Sequence, residues 1–160
     1  MMYMPNPIVV VGGIVENEHG YILLVKTKHS GWIFPGGKIV EGEDLMTALI
    51  REVKVDCGIN IDVSYLIGVY SNSVMHKWHN SVTDSSNKLM FDFMCNPVSG
   101  ELFASEETLE SFWFEKDTVL AMITDPAIRT RFQAYLDFGG SSFYTEFDPW
   151  SGEPQGELGL

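Results

Sequence analysis

The sequence predicts an α+β fold in which a mixed β-sheet carries helices on both faces, and three observations lead there. Apolar runs recur at Ile8 to Val15, Tyr21 to Thr27, Ile59 to Tyr70 and Lys88 to Cys95, bounded by polar or glycine-bearing turns as strands are. Only two substantial segments repeat their apolar residues at helical spacing, one between the strands and one near the end, so the helices cover a sheet rather than one another. No internal repeat or linker divides the 160 residues, a length that suits one core. Residues 1–140 therefore read as a single domain and 141–160 as a C-terminal tail.

Taken in order, Ile8 to Val15 and Tyr21 to Thr27 flank the polar turn Glu16 to Gly20 and read together as a hairpin. Trp32-Ile33-Phe34 follows as a short strand ended by Pro35. A helix is expected from about Asp44 to Cys57, with acidic Glu43 or Asp44 at its N-terminus and Gly58 as its stop. Strand character resumes from Ile59 to Tyr70 and from Lys88 to Cys95; the polar stretch between, Ser71 to Asn87, is long for a connector, and such loops often carry function. Asn96 to Gly100 reads as a turn, Leu102 and Phe103 as a brief pairing, Ser111 to Phe114 as a strand and Lys116 to Ile123 as a short helix. Asp125-Pro126 is an N-cap followed by proline at the first helical position, and Ile128, Phe132, Tyr135 and Leu136 continue at helical spacing toward Gly139-Gly140. From Phe143 onward the composition suits an edge strand, a dimer arm or a partly disordered tail.

The first helix carries the chemistry. At about 100° per residue, Leu45, Leu49, Glu52 and Asp56 fall within about 60° of one another. Two carboxylates thus stand in the apolar stripe, although solvated acids belong on the opposite side and a buried carboxylate is costly unless it is paired or binds a metal. Glu52 and Asp56 are spaced i, i+4 and project side by side, and oxygen ligands so placed suit a hard divalent cation. The Gly36-Gly37 turn lets backbone approach the same point. The unit reads as a Mg²⁺ or Mn²⁺ site made from a loop and a helix.

The segment Gly37 to Ile59 resembles the Nudix box. Gly37 opens it, Glu43 follows after five residues, Arg51-Glu52 after seven more, Val53 is the required aliphatic, and Gly58-Ile59 close it. The two positions that the pattern fills with paired glutamates hold Val55 and Asp56, and Trp32 to Gly37 matches a common Trp-x-x-Pro-Gly-Gly lead-in. The resemblance implies an α/β/α sandwich with a mixed, largely antiparallel sheet. It also implies a metal-dependent pyrophosphohydrolase that cleaves the diphosphate linkage of a nucleoside diphosphate derivative. By the same resemblance Gly37, Glu52 and Asp56 would hold the metal, Glu43 and Arg51 would form an ion pair fixing loop to helix, and Gly36 and Gly58 would support the site. Glu52, or Glu107 from the acidic segment around it, would be catalytic by orienting or deprotonating water. Val55 carries methyl groups where the pattern has a metal-ligand glutamate, which implies weaker or fewer metals and motivates a second reading, a catalytically impaired nucleotide-binding module.

Lys28 and Lys38 are cations near the box and candidates for phosphate oxygens; Trp32 and Trp78 are candidates for stacking on a base. His76 and His79 flank Trp78. Twenty-two acidic against ten basic residues give a net charge of −12, which disfavours nucleic acid and anionic membranes as partners and makes a cation the natural mediator for a phosphate-bearing ligand. The N-terminus lacks the basic start and apolar core of a secretory signal, and no run approaches the roughly 18 apolar residues of a membrane span. Cys57 and Cys95, the only cysteines, are too few for a disulfide framework and read as free thiols in a reducing cytoplasm. The expected partner is a nucleotide-like small molecule, with a homodimer left open.

Overall fold

A computed structural model of the chain describes residues 7–72, 88–147 and 154–159. Its strands are β1 (Ile8–Val15), β2 (Tyr21–Thr27), β3 (Gly31–Ile33), β4 (Gly36–Lys38), β5 (Ile59–Asn72), β6 (Lys88–Gly100), β7 (Thr108–Glu115), β8 (Phe143–Phe147) and β9 (Pro154–Gly159). The helices are α1 (Leu45–Cys57), the four-residue α2 (Val119–Met122) after a 3₁₀ turn, and α3 (Pro126–Leu136). The larger sheet has the order β4-β1-β6-β5-β8-β9 and the smaller β3-β2-β7. The pairs β1·β6 and β5·β8 are parallel and the rest antiparallel, giving the mixed, largely antiparallel sheet.

Alternation along the strands builds two cores. Val11 and Val15 of β1, Leu23 and Val25 of β2, and Phe93 and Cys95 of β6 pack with Ala48, Leu49, Val53 and Cys57 of α1. The residues between them, Ile14, Ile22, Leu24 and Met94, face the other way onto Val119, Ile123 and Phe132. Strand side chains alternate with period two, so β2 reads as an unbroken apolar run because it is covered on both sides.

The helix boundaries follow local chemistry. Asp44 caps α1 by accepting from Thr47 N at 2.8 Å, and Gly58, at φ +88°, closes it with its N–H on Lys54 O at 2.9 Å. Asp125 accepts from the N–H groups of Ala127 and Ile128, with Pro126 in the first turn of α3.

Three local expectations are corrected. β1 and β2 do not form a hairpin: beyond the bridge Glu16↔Ile22 they part into different sheets. The edges of β1 are taken by β4 and β6, leaving none for β2. Asn96 to Gly100 is not a turn but the end of β6, paired with the start of β5; the register shift at Asn60/Ile61 accommodates Pro97. Leu102 and Phe103 form no strand, and Phe103 N–H instead bonds Cys57 O at 3.0 Å.

Candidate active site

β4 is an edge strand, registered on β1 as Val10↔Lys38, Val11↔Gly37 and Gly12↔Gly36. The carboxylate of Glu52, one α1 turn before Asp56, rests on it. A Cβ at Gly37 would stand 2.6 Å from Glu52 Cδ and 2.7 and 2.9 Å from its oxygens, so the missing side chain is what admits the carboxylate. Asp56 reaches back to the same turn, where its Oδ2 accepts from Gly36 N–H at 3.3 Å. Burial pushes the Asp56 carboxyl up to about 6, and the charges of Glu52 and Glu107 act in the same direction, against the Gly36 bond and Arg51. Three carboxylates from α1 and the segment before β7 therefore share one electrostatic environment.

Arg51 organises the loop. Its Nε and Nη2 donate to Glu43 at 2.8 and 2.9 Å, its Nη1 donates to Glu52 Oε1 at 2.8 Å, and Nη2 also reaches Lys38 O at 3.2 Å. Glu43 accepts Val40 N–H at 3.1 Å. The bidentate fork clamps residues 38–43 to α1 and holds Glu52 in one orientation; bonds from Arg51 keep Glu43 below the usual carboxylate range. The ion pair implied by the resemblance is present.

The remaining expected residues are placed as follows. Glu107 is exposed on the segment before β7, whereas Glu110 pairs with Lys26 at 3.5 Å. Lys38 is exposed at the end of β4 and Lys28 on the turn after β2. Trp32 is half-buried, edge-on to Phe114 at 4.9 Å and under Lys26 at 5.9 Å, so it is engaged within the smaller sheet. Gly58 belongs to the α1 cap. Val55 is 56% exposed, its methyls at the margin of the helix rather than in the core. Trp78, His76 and His79 lie outside the described residues. Cys57 and Cys95 are free thiols, buried in the α1 core.

One pair was missed. Asp92 of β6 and Arg131 of α3 are buried and joined at 2.5 and 2.8 Å. The signal was legible: Arg131 occupies the apolar face of α3 between Ile128 and Tyr135, and Asp92 interrupts the run LMFDFM.

Among the described residues no cluster of three or more His, Cys, Asp or Glu side chains is placed to hold a metal ion. The donor set suits Mg²⁺ all the same, because Mg²⁺ keeps several waters and takes one or two carboxylates together with substrate phosphate. The half-buried Asp56, raised by burial and by neighbouring carboxylates, is a position where a cation would relieve an unfavourable charge.

The structure thus has a loop and helix clamped by an Arg–Glu pair at the edge strand of a mixed-sheet sandwich. The chain matches the NUDIX domain over residues 6–135 and belongs to the Nudix family, whose hydrolases are pyrophosphatases. An ADP-ribose pyrophosphatase of Methanocaldococcus jannaschii is 28% identical over 124 residues, covering 75% of this chain and 69% of that protein. A MutT-like protein of Streptomyces ambofaciens is 30% identical over 110 residues, or 68% of this chain and 64% of the relative. The chain thus spans about two thirds of these relatives. A mutator MutT protein from Bacillus halodurans superposes with a TM-score of 0.74 at 23% identity, over 95% of this chain and 97% of that one; it shows the shared fold. No described helix is long and apolar enough to cross a membrane.

Proposed function

We propose that the chain hydrolyses the diphosphate linkage of a nucleoside diphosphate derivative with the help of Mg²⁺ or Mn²⁺. One observation carries the reading: Glu52 is seated against side-chain-free Gly37 and oriented by Arg51, with half-buried Asp56 one turn away. Glu52, Asp56 and the Gly37 carbonyl are the groups that would hold the cation, whose contribution is to neutralise charge on the phosphoryl oxygens. Lys38 is exposed next to the glycine turn and would bind a phosphate oxygen as a point charge. Glu52 gives one oxygen to Arg51, and its other oxygen is the one that would meet the cation. Exposed Glu107 is therefore the carboxylate that accepts a proton from the attacking water. Water adds to one phosphorus, the bridging oxygen leaves with the other, and the products are a nucleoside monophosphate and a phosphorylated remainder.

The impaired-module reading is not favoured. It rested on Val55, which stands at an exposed margin, whereas Glu52, Asp56 and the Arg51 clamp are all present. The test is to incubate the purified chain and Mg²⁺ with dinucleotides, nucleotide sugars and nucleoside triphosphates, following phosphate products by ³¹P NMR. Cation-dependent cleavage of at least one diphosphate is expected, and no turnover on any of them overturns the reading.

A further inference from the structure

Glu107 lies outside the box, on the segment that leads from β6 into β7, and that segment is fixed against the end of α1. Leu102 packs on the α1 core. Phe103 donates its N–H to the carbonyl of Cys57, the residue after Asp56, at 3.0 Å. Its own carbonyl accepts the Ser111 hydroxyl of β7 at 3.2 Å. The Phe103 ring rests on Gly58, which is bare for two reasons: its φ is +88°, and a Cβ there would stand 2.6 Å from Phe103 Cε1.

Farther along, Ser105 and Thr108 close a turn with Glu106 and Glu107 at its tip. Ser105 N–H donates to Thr108 O at 2.9 Å, and Thr108 N–H donates to Ser105 Oγ at 3.0 Å. Thr108 is buried and anchors the turn. Beside it the register on β2 shifts, from Lys26↔Glu110 to Thr27↔Thr108, and such a bulge re-aims the side chains next to it.

A plain connector needs none of this. Glu110 is neutralised by Lys26 at 3.5 Å, whereas Glu107 makes no hydrogen bond or ion pair among the described residues, and its charge opposes ionisation of Asp56. Holding one carboxylate within reach of another, in a chain of net charge −12, costs stability and is explained when the site uses the acid. We infer that Phe103 and Ser105 are positioning residues, which hold Glu107 at the Asp56 end of α1 for its work as proton acceptor. The ring seats the segment on the helix end, and the closed turn fixes the direction of its tip. Neither side chain touches the reacting atoms. The inference rests on the reading of Glu107 as the group that takes the proton from water.

The experiment compares Ser105→Ala, Phe103→Ala and Ser105→Thr with wild type in the full chain, at positions that are exposed or half-buried. In one arm Mn²⁺ alone is added and the backbone amides are followed by NMR. The cation should erase the Glu107 amide signal in wild type and in Ser105→Thr, which keeps the hydroxyl, and the signal should return in both alanine variants. The other arm measures cleavage of the diphosphate turned over fastest in the panel above. Both alanine variants should lower kcat by about tenfold or more, because a displaced catalytic group loses rate steeply, with KM and Mn²⁺ affinity within about twofold of wild type. Ser105→Thr should stay within about threefold in kcat. Alanine variants with wild-type kcat, or a loss carried by KM or Mn²⁺ affinity instead, overturn the inference and leave the proposed function standing. If wild type cleaves no compound, the proposed function falls and the Mn²⁺ arm decides the positioning: erasure of Glu107 that survives both alanine variants overturns it. No effect of Mn²⁺ on any amide overturns both.

Discussion

Replacing Gly37 by alanine adds one methyl group where the structure leaves no room. Its Cβ would lie 2.6 to 2.9 Å from the three carboxylate atoms of Glu52, and van der Waals contact requires about 3.5 Å or more. The carboxylate must retreat by nearly 1 Å, yet its Oε1 is tied to Arg51 at 2.8 Å and Arg51 is tied in turn to Glu43. The backbone at position 37 is not in the left-handed region, so the cost is steric alone, about 1–3 kcal/mol for overpacking. The chemical cost is larger, because a misplacement of about 1 Å in a catalytic group lowers rate by about 100-fold. Thermal melting and Mg²⁺-dependent cleavage of a responsive diphosphate measure the two, and Mn²⁺ binding followed by EPR measures the cation independently. A Gly37→Ala protein with wild-type cation affinity and turnover would refute the placement of Glu52 at the centre of the site.

Arg51→Met removes the clamp but leaves a half-exposed position; stability should fall by no more than about 1 kcal/mol, while turnover falls by about 100-fold as the loop and Glu52 lose their orientation. Val55→Glu adds a carboxylate at an exposed margin, should change stability by less than about 0.5 kcal/mol and should tighten Mn²⁺ binding by about tenfold, read by calorimetry. Burial pushes Glu16 up, but bonds from Lys116 at 2.6 Å and Tyr135 at 2.5 Å outweigh it and hold its pKa below 4.5. Because the folded value is depressed, this contribution is present above pH 4.5 and lost as pH falls through the folded value. Glu16→Gln should therefore melt below wild type at neutral pH, and the gap should close on acidification in paired thermal scans.

Much of the site was legible because its signals are local. The spacing of Leu45, Leu49, Glu52 and Asp56 placed both acids toward the sheet, and Asp44 and Gly58 marked the helix ends. The order of strands was less legible. Nothing between Val15 and Tyr21 announces that their strands separate, since a short polar turn serves a hairpin and a crossing between sheets equally well; the pairing of β1 with β4 and β6 decides it. Pro97 and Gly100 looked like a turn because both are poor strand residues, yet β5 supplies a partner whose register shift absorbs them.

By itself, the sequence determined the box, its helix and the spacing that turns Glu52 and Asp56 toward the glycine strand, since caps, glycine turns and helical spacing act over a few residues of chain. Tertiary structure alone decided that Glu107 comes within electrostatic reach of Asp56, that Trp32 is engaged by Phe114, and that Asp92 meets Arg131 across 39 positions. Contacts of that range depend on which strands become neighbours, and strand order follows from burying two apolar faces at once, a condition on the whole chain.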